Sequence, residues 1–88
     1  MEKAVVSEAY PNPFLTKTSF DINMAESQIV SIELFDAQGN KVQNIYTGSL
    51  SKGIHDFTID GTNLSSGMYM FRVTGQDFVQ SGKVILNK

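Results

Sequence analysis

Thr18-Ser19-Phe20-Asp21-Ile22-Asn23-Met24 sets apolar residues at Phe20, Ile22 and Met24 against polar ones at Ser19, Asp21 and Asn23. A period of two belongs to a strand with one buried face, because successive side chains of a pleated chain leave on opposite sides; a helix repeats every 3.6 residues. The same rhythm runs outward from this stretch. Val30, Ile32 and Leu34 alternate with Ser31 and Glu33, and Asp36-Ala37-Gln38-Gly39-Asn40 follows as a turn in which Gly39 or Asn40 is free to take positive φ. Residues 41–46 return as a weaker strand whose Val42 and Ile45 are out of phase, so a bulge or twist is expected there. Thr47-Gly48-Ser49 and Ser51-Lys52-Gly53 bracket a loop containing Leu50, and His55, Phe57 and Ile59 then share one strand face. Asp60-Gly61-Thr62-Asn63 is a further turn cluster. Tyr69, Phe71 and Val73 alternate with Met68, Met70 and Arg72 in what reads as a central, two-sided strand; Gly75-Gln76-Asp77 turns the chain, and residues 78–86 form a last strand interrupted by Gly82.

About seven short strands at this spacing, with turn residues between them and no convincing helix, predict an all-β, immunoglobulin-like antiparallel β-sandwich. Tyr10-Pro11-Asn12-Pro13-Phe14 fits its start. Two prolines so close forbid a helix and remove two donors, the residues before them are pushed toward extended conformations, and the two flanking rings are expected to plug the core. Leu64-Ser65-Ser66-Gly67-Met68-Tyr69 supplies a second signature. A Tyr at the start of the penultimate strand can bond its hydroxyl to upstream backbone, a tyrosine corner, with Gly67 permitting a conformation closed to other residues and Leu64 available to the core. Tyr69 is therefore read as structural rather than catalytic.

The 88 residues suit one domain, 1–88, with residues 1–9 read as a linker remnant and first edge strand. Such a chain buries roughly 60–65% of its unfolded surface, enough for one core. A 41% apolar content with six Phe, three Tyr and no Trp is that of a compact fold. The net charge of -2, with both signs interspersed, leaves no electrostatic footprint for nucleic acid or an anionic membrane. The absence of cysteine removes disulfides, thiolate zinc sites and cysteine nucleophiles together. No apolar run reaches the roughly eighteen residues of a membrane span. Met1-Glu2-Lys3-Ala4-Val5-Val6-Ser7-Glu8 has no signal-peptide core, so a module working outside the cytoplasm would be carried there by something upstream.

No residue pattern points to catalysis, a cofactor or a metal. His55 is the lone histidine and has no second imidazole at ligand spacing. Asp36, Asp56, Asp60 and Asp77 are placed in or beside turns, where such side chains bond local backbone, and they lack the spacing of a calcium loop. No Gly-x-Ser-x-Gly elbow is present. Asn63-Leu64-Ser65 matches a glycosylation sequon by letter only. Met24, Met68 and Met70 are read as adaptable packing rather than a partner groove.

Tyr10-Pro11-Asn12-Pro13-Phe14, Thr18-Ser19-Phe20-Asp21-Ile22, Val30-Ser31-Ile32-Glu33-Leu34-Phe35-Asp36-Ala37-Gln38-Gly39, Leu64-Ser65-Ser66-Gly67-Met68-Tyr69 and the terminal Lys83-Val84-Ile85-Leu86-Asn87-Lys88 occur in that order. Together they resemble the type A C-terminal sorting domain of proteins exported by the type IX secretion system of Bacteroidota, over about residues 5–88. The resemblance implies a β-sandwich at the end of a larger secreted cargo protein. A Sec signal would bring the precursor to the periplasm, the outer-membrane translocon would read the folded module, and a sortase would typically remove it at the cell surface. Pro11, Asn12 and Pro13 match the opening motif, Gly39 the first hairpin, Gly53 the glycine before the following strand, and Gly67 with Tyr69 the corner. Lys83 and Lys88 match basic residues framing the last strand. Where many members carry two adjacent basic residues, this chain has Gly82 before a single Lys83.

On this reading the translocon recognises Lys83, Val84, Ile85, Leu86 and Lys88, with backbone edge and lysines both open to a partner. Without the resemblance, the same strand is a sandwich edge whose lysines discourage edge-to-edge association. The alternative function is a small immunoglobulin-like module binding glycan or protein, which predicts an exposed aromatic platform; a flagellar-hook-cap-like structural domain shares the strand pattern. A weak dimer through an edge strand is compatible with either.

Overall fold

A computed structural model describes residues 4–88; the first three residues of the expected linker lie outside the described residues. Seven strands follow in order: β1 (Ala4–Val6), β2 (Lys17–Met24), β3 (Gln28–Asp36), β4 (Lys41–Leu50), β5 (Gly53–Asp60), β6 (Gly67–Thr74) and β7 (Val79–Leu86). One sheet has the order β1-β2-β5 and the other β4-β3-β6-β7, with every pairing antiparallel. The fourth strand thus pairs with the third across a hairpin, on the opposite sheet from β5. Among the described residues there is no helix.

The period-two reading decides which residues fill the space between the sheets. Phe20, Ile22 and Met24 of β2, Val30, Ile32 and Leu34 of β3, Ile59 of β5, Tyr69, Phe71 and Val73 of β6, and Val84 and Leu86 of β7 all point inward and are buried. Phe20 and Phe71 stack across the sheets at 4.1 Å between centroids and 18° between planes. Burial of side chains this size contributes about 1.5–3 kcal/mol each before the entropic cost of ordering the chain.

Three strand readings are corrected. β4 does not end near Tyr46 but runs through Thr47-Gly48-Ser49 to Leu50, which is buried. Gln28 to Ser31 of β3 pair with Leu50 to Thr47, and Tyr46 folds over Gly48 to donate its hydroxyl to the Ser49 carbonyl at 2.7 Å. The local glycine-serine composition is overridden by a partner strand. The phase slip of Val42 and Ile45 has its cause in register shifts between Ile32 and Glu33 and between Leu34 and Phe35. β6 is central in hydrogen bonding, between β3 and β7, but one-sided in burial: Met68 and Met70 are exposed on the outer face. These two methionines do not pack the core, as Met24 does. Finally, Asp56 lies within β5, opposite Asp21 of β2, rather than in a turn.

The turns behave as their residues require. Gly39 has φ +90° in the hairpin between β3 and β4, where Asp36 accepts from the N–H of Gln38 and of Asn40 at 2.9 Å each. These donors hold the Asp36 carboxyl below its ordinary value, the Asn40 N–H contributing most. Tyr69 donates its hydroxyl to the Ser65 carbonyl at 2.6 Å, four residues upstream, which is the geometry of a tyrosine corner.

Candidate functional site: the carboxy-terminal strand and its edge

β7 alternates strictly along its second half: Val84 and Leu86 face the core with 0% and 1% exposure, while Lys83 and Ile85 face solvent. Sequence reasoning placed five residues of this region in one recognition patch. The fold divides them, because a partner reaching the folded domain meets the side chains of Lys83 and Ile85 and not those of Val84 and Leu86. Lys88 is exposed but committed within the chain: its Nζ donates to the Thr62 carbonyl at 3.0 Å and its N–H to Ser66 Oγ at 3.1 Å. It also adds positive potential near Asp60, whose carboxyl is held low first by bonds from Thr62 and then by Lys17 and Lys88.

Gly82 accounts for the missing second basic residue. Position 82 points inward, opposite Phe71, and a Cβ there would stand 2.7 Å from Phe71 Cε1 and closer still to Cζ. The ring occupies the space a side chain would need, so any side chain here must displace the Phe20–Phe71 stack.

The double-proline segment turns out to serve this strand. Tyr10 exchanges backbone bonds with Ser19 of β2, and Thr18 Oγ1 donates to the Pro11 carbonyl at 2.6 Å. The chain then crosses to the other sheet. Asn12 donates from Nδ2 to the Lys83 carbonyl and accepts at Oδ1 from the Ile85 N–H, both at 2.9 Å. Phe14 donates its N–H to the Ile85 carbonyl and accepts from the Asn87 N–H, also at 2.9 Å. The backbone edge of β7 is therefore closed from the Lys83 carbonyl to Asn87, contrary to its expected availability. Of the two rings expected to enter the core, Phe14 does, with 2% exposure, whereas Tyr10 is 73% exposed.

Beside Lys83 and Ile85 on the outer face stand Met70 and Met68, their cross-strand partners. A shallow hollow of about 120 Å³ lies there, lined by Asp36, Ala37, Met68, Tyr69, Met70 and Lys83. Further along the face, Glu33 draws Lys41 at 3.2 Å and Arg72 at 3.8 Å, and the Arg72 guanidinium sits 4.4 Å from the Phe35 ring centroid. The reading of Met68 and Met70 as packing fails because alternation names two faces without saying which one is covered.

The remaining candidates are structural. Half-buried His55 brings Nε2 to 2.8 Å from the Ser51 carbonyl. Gly53 precedes it at the start of β5, paired with Met24. Asp77 accepts from Gln28 Nε2 at 3.0 Å, fixing the turn before β7. Among the described residues, no group of three His, Asp or Glu side chains could hold a metal ion, and no helix is long and apolar enough to cross a membrane.

Residues 8–87 match the family described as the secretion system C-terminal sorting domain. A search of curated proteins finds no match. The match spans nearly all of the chain, including the Pro11-Asn12-Pro13 crossover, the Tyr69 corner and the whole of β7. That family consists of sorting signals rather than enzymes, and it implies a linked upstream cargo, secretion machinery and a destination at the cell surface or beyond it. The chain belongs to the C-terminal sorting domain family of the type IX secretion system.

Proposed function

We propose that this domain passes through the periplasm as the tail of its precursor, is read there in its folded state by the outer-membrane translocon, and is then cut from its cargo by a sortase. The family match over residues 8–87 carries this reading. The exposed pair Lys83 and Ile85, next to Met68 and Met70, supports a recognition surface on the outer face of the β4-β3-β6-β7 sheet. An ammonium with an apolar neighbour gives a partner both a charge to pair and an area to bury.

The test is export of a periplasm-directed reporter fused to residues 1–88 in a host carrying the type IX system. Truncating residues 84–88 is a poor version of it, because that removes Val84 and Leu86 from the core and unfolds the signal. Lys83→Glu and Ile85→Asp alter only outward side chains. Export of the unmodified fusion to the surface, with both variants retained, is expected. Retention of the unmodified fusion would refute the sorting function, and normal export of both variants would refute this surface.

A further inference from the structure

β7 is the outermost strand of its sheet. In an antiparallel ladder alternate residues direct their N–H and C=O groups away from the neighbouring strand. On β7 these are Val79, Ser81, Lys83 and Ile85, since Ile85 gives both groups to the crossover segment and parity fixes the rest. The chain closes the lower half of this row itself, through Asn12 and Phe14. The upper half is open. Among the described residues, no hydrogen bond reaches the outward groups of Val79 and Ser81 or the N–H of Lys83.

From Ser81 to Lys83 this open half borders a groove of about 890 Å³. One wall is the β7 edge at Ser81 to Lys83 and the other is the chain from Val6 to Pro13. Gln80 ties the walls together near one end, donating to the Ala4 carbonyl at 2.6 Å and accepting from the Val6 N–H at 3.1 Å, and Asn12 ties them at the other. Exposed Tyr10, Pro11 and Pro13 add apolar surface to the second wall, which Ser7, Glu8 and Asn12 otherwise keep polar.

We propose that this groove receives an extended segment of a partner protein, which adds as a further strand to β7 between Val79 and Lys83. Main-chain groups repeating every second residue, about 6.8 Å apart, match another backbone better than any small molecule. Phe14 already bonds to the same row through its main chain and Asn12 through its side-chain amide, so the added segment extends a cover the fold has begun at the lower end. A second copy fits less well, because it brings its own wall of residues 7–13 beside its own β7. The inference rests on the sorting function proposed above, which makes the partner a component of the secretion machinery.

Ser81→Pro tests it. Proline removes the outward N–H at position 81 without touching the ladder to β6, and prolines are tolerated on edge strands for this reason. Ser81→Ala keeps the N–H and is the control. With the reporter fusion in a type IX host, the unmodified and Ser81→Ala fusions reach the surface, while Ser81→Pro reaches it at least about tenfold less, as the loss of one or two main-chain bonds implies. The purified Ser81→Pro domain keeps its cooperative unfolding. Should it fail to fold, Val79→Pro at the first residue of β7 carries the same expectation. Export of the proline variants at the unmodified level overturns strand addition and leaves the sorting function standing. Retention of the unmodified fusion removes both. A concentration-dependent dimer of the purified domain that Ser81→Pro abolishes would assign the edge to a second copy and overturn the partner assignment.

Discussion

Gly82→Ala adds one methyl group at the point where β7 crosses the aromatic centre of the core. The new Cβ would lie 2.7 Å from Phe71 Cε1 and 3.2 Å from Cε2, with Cζ nearer than either. Phe71 cannot yield cheaply, because it has 0% exposure and its ring is stacked on Phe20 at 4.1 Å. Overpacking a filled core costs about 1–3 kcal/mol, and the contact here belongs at the upper end of that range. The loss of glycine's freedom in the unfolded chain offsets about 0.4–1 kcal/mol. The net expectation is a destabilisation of about 1–2 kcal/mol, which for a domain of this size lowers Tm by roughly 5–15 °C. Urea and thermal unfolding of the purified domain measure it. The mechanism is specific enough to be checked by a second change: Phe71→Leu shortens the ring that blocks position 82, so in the double variant the alanine should cost at least about 0.5 kcal/mol less than it does alone. A neutral or stabilising Gly82→Ala, or strict additivity with Phe71→Leu, would refute the claim that the ring excludes a side chain at this position.

Other perturbations follow from single contacts. Tyr69→Phe removes the bond to the Ser65 carbonyl and is expected to cost about 0.5–1.5 kcal/mol in urea unfolding, with the fold unchanged. Asn12→Ala removes two bonds at an edge that water can reach, so about 1 kcal/mol is expected, together with faster amide exchange at Ile85 but not at Val84. The pH dependence has two opposing parts. Asp21 is held above its ordinary value, first by sharing a hydrogen bond with Asp56, so the folded state binds this proton more tightly and gains stability as pH falls through that raised value. Asp36 and Asp60 are held below theirs, so the stability they contribute is present above the ordinary carboxylate value and lost as pH falls through their lowered ones. Asp21→Asn should therefore raise Tm at pH 7, and Asp36→Asn should lower it at pH 7 by more than it does in acid.

The fold was largely legible because alternation survives without an alignment. Each of Phe20, Ile22, Val30, Ile32, Phe71 and Val73 is apolar beside a polar neighbour, and each is buried. Thr47-Gly48-Ser49 misled because turn composition is a local signal and pairing with β3 is not. The site was less legible for a related reason. Val84 and Leu86 are as apolar as Ile85, and only their parity against Tyr69 and Gly67 of β6 shows which are core. Nor does any pattern in Tyr10-Pro11-Asn12-Pro13-Phe14 announce that Asn12 will bond to a strand more than seventy residues away.

That long-range contact bears on how a signal at the end of a chain can be read at all. Half of β7's terminal side chains are core, and the other half hold a fixed spacing only because the first half is packed. Asn12 and Phe14 add the same condition from the other end of the domain, since their bonds to β7 require residues 10–19 to be in place on the opposite sheet. Lys83 and Ile85 are thus displayed side by side, against Met70 and Met68, when both sheets have closed and not before. An unfolded tail carries the same residues without that geometry. A receptor that reads the face therefore discriminates folded from unfolded tails at no additional contact, whereas one that reads a linear peptide cannot. Gly82→Ala and Asn12→Ala separate the two cases, because neither alters a side chain that a linear reader would meet at Lys83 or beyond. If export falls in step with the measured stability of these variants, the face is what is read; export that ignores their stability would assign recognition to the unfolded sequence.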